Sequence, residues 1–119
     1  MKDSLVLTKT KAFSIRIIRL CRYLREEKKE YTLSKQLLRS GTSIGANVHE
    51  GKYGQSTDDF ISKHSIALKE AAETEYWLEL LYETDYLSQA EYESIAGDCT
   101  DLIRLLTSIV KTTKNKKEK

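Results

Sequence analysis

The sequence predicts an all-α protein, an antiparallel up-down-up-down four-helix bundle. Proline is absent and glycine occurs only five times in 119 residues, which is unusual for a sheet protein that needs turn residues every ten or so positions. Four segments repeat apolar residues at alternating steps of three and four, the period of one helix face. The links between these segments are short, and short links turn each helix back against the last.

Helix one is expected from about Ser4 to Lys29, with Asp3 or Ser4 as its cap. Phe13, Ile17, Leu20, Cys21 and Leu24 make its apolar face, and Ile15 and Ile18 widen the stripe beyond the need of a single partner helix. Glu30-Tyr31-Thr32 leads into helix two, about Leu33 to Lys52, whose face is Leu37, Gly41, Ile44 and Val48. Gly54 suits the end of that helix. Ser56, with Asp59 three residues on, approximates a capping box for helix three, about Thr57 to Thr84. Its seam runs Phe60, His64, Ala67, Ala71, Thr74, Leu78 and Leu81, and a second seam of Ile61, Leu68, Ala72 and Tyr76 lies beside it. Ser88 and Glu91 form a capping box before helix four, which carries Ile95, Cys99, Leu102, Leu106 and Ile109. The bundle domain is expected over residues 1–113, and the lysine-rich residues 114–119 as a flexible tail. The surplus apolar surface on helices one and three predicts an interface between subunits.

Net charge is only +2, but it is uneven. Residues 1–40 hold eleven Lys/Arg against four Asp/Glu, residues 41–110 four against thirteen, and residues 111–119 five against one. Positive ends and a negative middle either neutralise each other, within or between subunits, or present the basic parts to an anionic partner. No run of eighteen apolar residues suggests a membrane span. The N-terminus lacks the apolar stretch of a signal peptide. Cys21 and Cys99, inside apolar patterns, read as buried reduced thiols, with a disulfide staple as the weaker alternative. The expected location is the cytoplasm.

The residues give little support to catalysis. No Asp or Glu stands three residues before a histidine, as a di-iron bundle requires. His49-Glu50 lacks the second histidine of a zinc-protease helix, and no phosphate-cradling glycine loop occurs. No enzyme activity, cofactor, metal or small-molecule substrate is therefore expected. His64 falls on the core seam as a structural residue, and His49 on a surface or interface. Glu70, Glu73, Glu75, Glu79 and Glu83 read as the solvated or salt-bridged face of helix three, Lys69 pairing with Glu73, or as partners of the arginines of helix one. Those arginines, Arg16, Arg19, Arg22 and Arg25, recur every three residues and form a slanting band. The band supplies phosphate contacts to a nucleic acid, or it is an ordinary charged surface facing the acidic helix three.

The most unusual stretch is Gly41-Thr42-Ser43-Ile44-Gly45-Ala46-Asn47-Val48-His49-Glu50-Gly51. Glycine inside a helix costs about 1 kcal/mol against alanine, so Gly41 and Gly45 need a reason. Four residues apart, they share a face and admit another backbone, with Asn47 and Glu50 one turn later able to hydrogen-bond across the contact. The pattern S-I-x-x-N-[IV]-x-E-G, followed by Phe60, Ala67 and Tyr86-Leu87, resembles the bacterial 23S ribosomal RNA intervening-sequence proteins over nearly the whole chain. The resemblance implies a four-helix bundle that assembles into a homo-pentamer, with no established enzymatic activity. It makes Ser43, Asn47, Glu50 and Gly51 the motif or interface residues. A relative in the same superfamily binds a reverse transcriptase and nucleic acid through a basic surface. The partners implied are therefore further copies of the chain and RNA or an RNA-handling protein. The alternative is a structural or regulatory scaffold with no affinity for nucleic acid.

Overall fold

The described residues form four helices: α1 (Lys2–Glu26), α2 (Leu33–Lys52), α3 (Thr57–Glu83) and α4 (Gln89–Glu118). The computed structural model describes the backbone of residues 2–118 and the side chains of residues 4–118. Among the described residues there is no strand, and no helix is long and apolar enough to cross a membrane. α1 packs against α2 and α4, and α3 packs against the same two. The diagonal pairs keep their backbones more than 8 Å apart, Cα to Cα, among the described residues, and α1–α4 is the slightest of the four contacts. Links of six, four and five residues support the up-down-up-down order. The bundle measures 51 × 22 × 20 Å.

The expected seams are the core. Phe13, Ile17, Cys21 and Leu24 of α1 are buried with Leu37, Ile44 and Val48 of α2. Ala67, Ala71, Leu78 and Leu81 of α3 join Ile95, Cys99, Leu102, Leu106 and Ile109 of α4. Buried polar groups are bonded rather than excluded. The Thr74 hydroxyl donates to the Glu70 carbonyl (2.8 Å) and lies at hydrogen-bond distance from the Ser40 hydroxyl (2.9 Å), tying α3 to α2. Among the described residues no buried side-chain nitrogen or oxygen lacks a partner, as the cost of burying one unbonded requires. The second seam of α3 lies at the surface, with Ile61 and Leu68 half-buried and Ala72 and Tyr76 exposed.

The capping box of α4 forms in full, and that of α3 in altered form, its return bond falling one residue before the cap. Ser56 Oγ accepts from the Asp59 N–H and the Asp59 carboxylate accepts from the Gln55 N–H, each at 3.1 Å. At α4, Ser88 Oγ accepts from the Glu91 N–H (3.1 Å) while Glu91 accepts from the Ser88 N–H (2.8 Å). α2 is capped by a residue outside it. The buried Glu30 carboxylate accepts from the N–H groups of Thr32 (3.3 Å), Leu33 (3.0 Å) and Ser34 (2.7 Å). Three donors that have no carbonyl in their own helix are thus satisfied by one side chain.

Several boundaries differ from expectation. α1 begins at Lys2, so Asp3 and Ser4 lie within the helix rather than before it, and α1 stops at Glu26 rather than Lys29. Chain reversal falls to Lys29 (φ 56°) and Asp85 (φ 69°), while no glycine, Gly54 included, takes a positive φ. Around Asp85 the N–H of Tyr86 donates to the Leu81 carbonyl and that of Asp85 to Tyr82, the paired bonds of a left-handed helix end. α4 runs on to Glu118, so residues 114–118 are helical rather than an irregular tail; Lys119 lies outside the described residues. Lysine is a good helix former and suits the negative end of a helix dipole. Lys117 also pairs with Asp58 at the start of α3.

Candidate nucleic-acid interface

The orientation of α1 decides what its arginines face, and the glycines of α2 set that orientation. A Cβ added at Gly41 would lie 2.8 Å from Cγ1 and Cγ2 of Ile17. One added at Gly45 would lie 3.1 Å from Ser14 Oγ and 3.3 Å from the Thr10 carbonyl oxygen. The expected close approach is therefore between α2 and α1. It places Ser14, and Ile18 one turn later, on the α2 side of α1. Arg16 then falls on the α4 side, where its guanidinium donates to Asp98 Oδ2 (2.5 Å), Ser94 Oγ (3.0 Å) and the Ser94 carbonyl (3.4 Å).

The remaining arginines of the band point outward. Arg19, Arg22 and Arg25 are exposed and make no ion pair among the described residues. The backbones of α1 and α3 stand diagonally across the bundle, with no Cα–Cα approach within 8 Å among the described residues, and no arginine of the band pairs with a carboxylate of α3. Glu70 and Glu73 are instead held by Arg39 of α2, and the expected Lys69–Glu73 pair does not form. The Trp77 indole N–H donates to Glu73 at 2.8 Å. That bond first, and the Arg39 bond second, hold the Glu73 carboxyl below its ordinary range.

The glycine-rich motif shapes helix packing. Ser43 Oγ donates to the Arg39 carbonyl (2.6 Å), and Asn47 Nδ2 donates to the Ser43 carbonyl (2.8 Å). Both bonds stay inside α2, so Asn47 does not bond across the α1–α2 contact as expected. Glu50 does cross, but to α3, accepting from Lys63 Nζ at 3.0 Å. At Gly51 an added Cβ would meet His64 Cε1 at 2.8 Å. The buried His64 stacks on Phe60 (3.9 Å between centroids) and lies 2.9 Å from the Phe60 carbonyl through Nδ1. A carbonyl only accepts, so Nδ1 carries the proton. Ser43, Asn47, Glu50 and Gly51 thus line one helix without converging on a pocket. His49 is exposed, its ring edge-on to Tyr53.

Beside Arg16 and Arg19 the slight α1–α4 contact leaves a groove of about 590 Å³. Its walls are mainly apolar, with Leu20 and Tyr23 from α1 and Leu87, Ala90 and Ile95 from the α4 side. The Lys28 ammonium stands 5.9 Å from the centre of the Tyr23 ring. A second cleft of about 630 Å³, at the end of the bundle, carries Lys52 and Lys116. Among the described residues no three His, Cys, Asp or Glu side chains gather as a metal site. Sequence reasoning found the arginine band but missed its division into one paired and three unpaired members, because Ser94 and Asp98 lie about eighty positions away. It missed the groove for the same reason. It also missed the Glu30 cap, whose signal was an acidic residue just ahead of an uncapped helix start.

A family model described as 23S rRNA-intervening sequence protein matches residues 2–108. No curated protein matches the chain. Among solved structures, the chain resembles the crystal structure of a protein of unknown function from the S23 ribosomal protein family of Bacteroides thetaiotaomicron VPI-5482. The two are 55% identical, the match covers 93% of this chain and 99% of that one, and the TM-score is 0.92.

Proposed function

The chain belongs to the 23S rRNA-intervening sequence protein family, and from that premise we propose that it is a non-enzymatic, self-assembling protein of the cytoplasm that binds RNA through the outer face of α1. The observation that carries the reading is the state of the arginines. A scaffold without affinity for nucleic acid predicts a band neutralised by carboxylates, in the same subunit or the next. Within the subunit, among the described residues, Arg16 is the one member so paired, and by α4. Arg19, Arg22 and Arg25 are left as three guanidinium groups on an exposed helix face, donors matched to phosphate oxygens. No base-reading motif accompanies them, so affinity rests on phosphate and shape and weakens with salt.

Assembly is supported by apolar residues on the same helix. Ile15 and Ile18 are 41% and 42% exposed, and Ile66 and Tyr76 of α3 are exposed as well. Family resemblance makes a pentamer the expected state.

Light scattering for mass, with an RNA titration at two salt concentrations, tests both parts. The expected mass is a multiple of the 13.7 kDa chain, and replacing Ile18 by Asp should lower it. Three phosphate contacts contribute about 2 to the slope of log K against log salt on a single strand. Replacing Arg19, Arg22 and Arg25 together by Gln should remove that contribution and leave the helix content unchanged. Binding indifferent to salt and to the three substitutions would overturn the RNA reading.

A further inference from the structure

Resting on the RNA-binding reading, we infer that the α1–α4 groove receives one unpaired base of the RNA, with the adjoining phosphate on Arg19. The groove has the size of a small-ligand cleft, about 590 Å³ against the roughly 300–1,000 Å³ usual for such sites. Its floor is Leu20, Leu87 and Ile95, and Tyr23 supplies an aromatic ring at its side. Arg19 stands on its rim without a carboxylate partner among the described residues, and the Lys28 ammonium stands 5.9 Å from the centre of the Tyr23 ring. Glu91 also lines the rim as a carboxylate, bonded to the Ser88 N–H and offset in part by Lys28, so the phosphate sits on the Arg19 side.

The shape distinguishes a base from a docked helix. The groove covers Arg16 to Tyr23 on α1, two helical turns and roughly 11 Å. The Arg16–Asp98 bridge crosses from α1 to α4, and beyond it lies a separate depression of about 170 Å³ around Phe13 and Asp101. The bridge therefore closes one end, and what remains is a bay for a ring rather than a trough for a helix. An apolar bay with an aromatic wall and cations at its mouth suits a flat base attached to a phosphate. Bases in a duplex are stacked and paired, so only an unpaired nucleotide can enter.

The test is fluorescence anisotropy with one labelled oligoribonucleotide, single-stranded and annealed to its complement, at two salt concentrations. The full chain is compared with Ala90→Trp, which fills the bay from an exposed position, and Tyr23→Leu, which keeps the apolar contact and removes the ring. The expected result is a single-strand preference of roughly tenfold, the scale of stacking one base. Both variants should lose that preference while still binding duplex through the arginines. Tyr23→Phe should retain it. Arginine-dependent binding that is equal for the two RNA forms, or a preference untouched by both variants, would overturn the inference and leave the RNA reading standing. Failure to bind either form would overturn both.

Discussion

Gly41 of α2 lies directly against Ile17 of α1, so closely that a methyl group on Gly41 would sit 2.8 Å from two carbons of the isoleucine side chain. Ile17 is fully buried, and its branched Cβ, itself 3.2 Å from the added methyl, is fixed to the backbone of α1. Gly41→Ala should therefore lower stability by about 1–3 kcal/mol, strain outweighing the gain in helix propensity. Gly97 supplies the control. It is an exposed residue inside α4, and a Cβ there would meet nothing within 4 Å. Gly97→Ala should raise stability by about 1 kcal/mol. Urea denaturation of the two variants, at one protein concentration, measures both signs.

Glu30 holds the start of α2 by accepting three backbone N–H groups, and Ser34 Oγ donates back to its carbonyl at 2.8 Å. Glu30→Ala leaves those donors without their acceptor at a buried position. The expected loss is about 1–2 kcal/mol. Amide hydrogen exchange should accelerate first at Thr32, Leu33 and Ser34.

Asp85 occupies the left-handed conformation that ends α3, a position where a side chain clashes with its own backbone. Glycine removes that clash, although it also frees the unfolded chain. Asp85→Gly should stabilise the protein by up to about 1 kcal/mol. A thermal melt that falls rather than rises would show that the aspartate contributes more than its backbone strain.

Burial pushes the thiols of Cys21 and Cys99 up to about 12 from an ordinary 9.0. Each donates to a carbonyl, Ser34 and Ala71 respectively, at 3.3 Å. Neither thiol should react with iodoacetamide at about pH 8 until the chain unfolds, since the thiolate is the nucleophile. The folded value lies above the unfolded one, so the stability these groups contribute is complete below pH 9.0 and is lost as pH rises toward the folded value. Mass spectrometry of labelled protein, with and without denaturant, is the check.

Glu73 and Glu91 titrate below the ordinary carboxylate value of 4.5, Glu73 chiefly through Trp77 and then Arg39, Glu91 chiefly through the Ser88 backbone N–H. A depressed folded value means stability that is present above 4.5 and lost as pH falls through the folded value. Acid denaturation should be shallower in Glu73→Gln and in Glu91→Gln than in the parent chain. Following circular dichroism from neutral pH downward measures the difference.

Periodicity alone located the four helices and almost every core residue, because a 3.6-residue repeat of apolar side chains constrains both the helix and the face it buries. It also placed Gly41 and Gly45 at a close helix contact, since two glycines four residues apart share one helix face. The family resemblance was carried by Ser43, Asn47, Glu50 and Gly51, a local string legible without coordinates. The three-residue spacing of Arg16, Arg19, Arg22 and Arg25 was legible too. What each arginine faces depends on which helices are neighbours and how α1 is rotated. Tertiary structure set α1 diagonal to acidic α3, gave Arg16 to Asp98, and gave Glu73 to Arg39. It also opened the bay beside Tyr23, because the α1–α4 contact joins the first and last helices, and no short link draws them together.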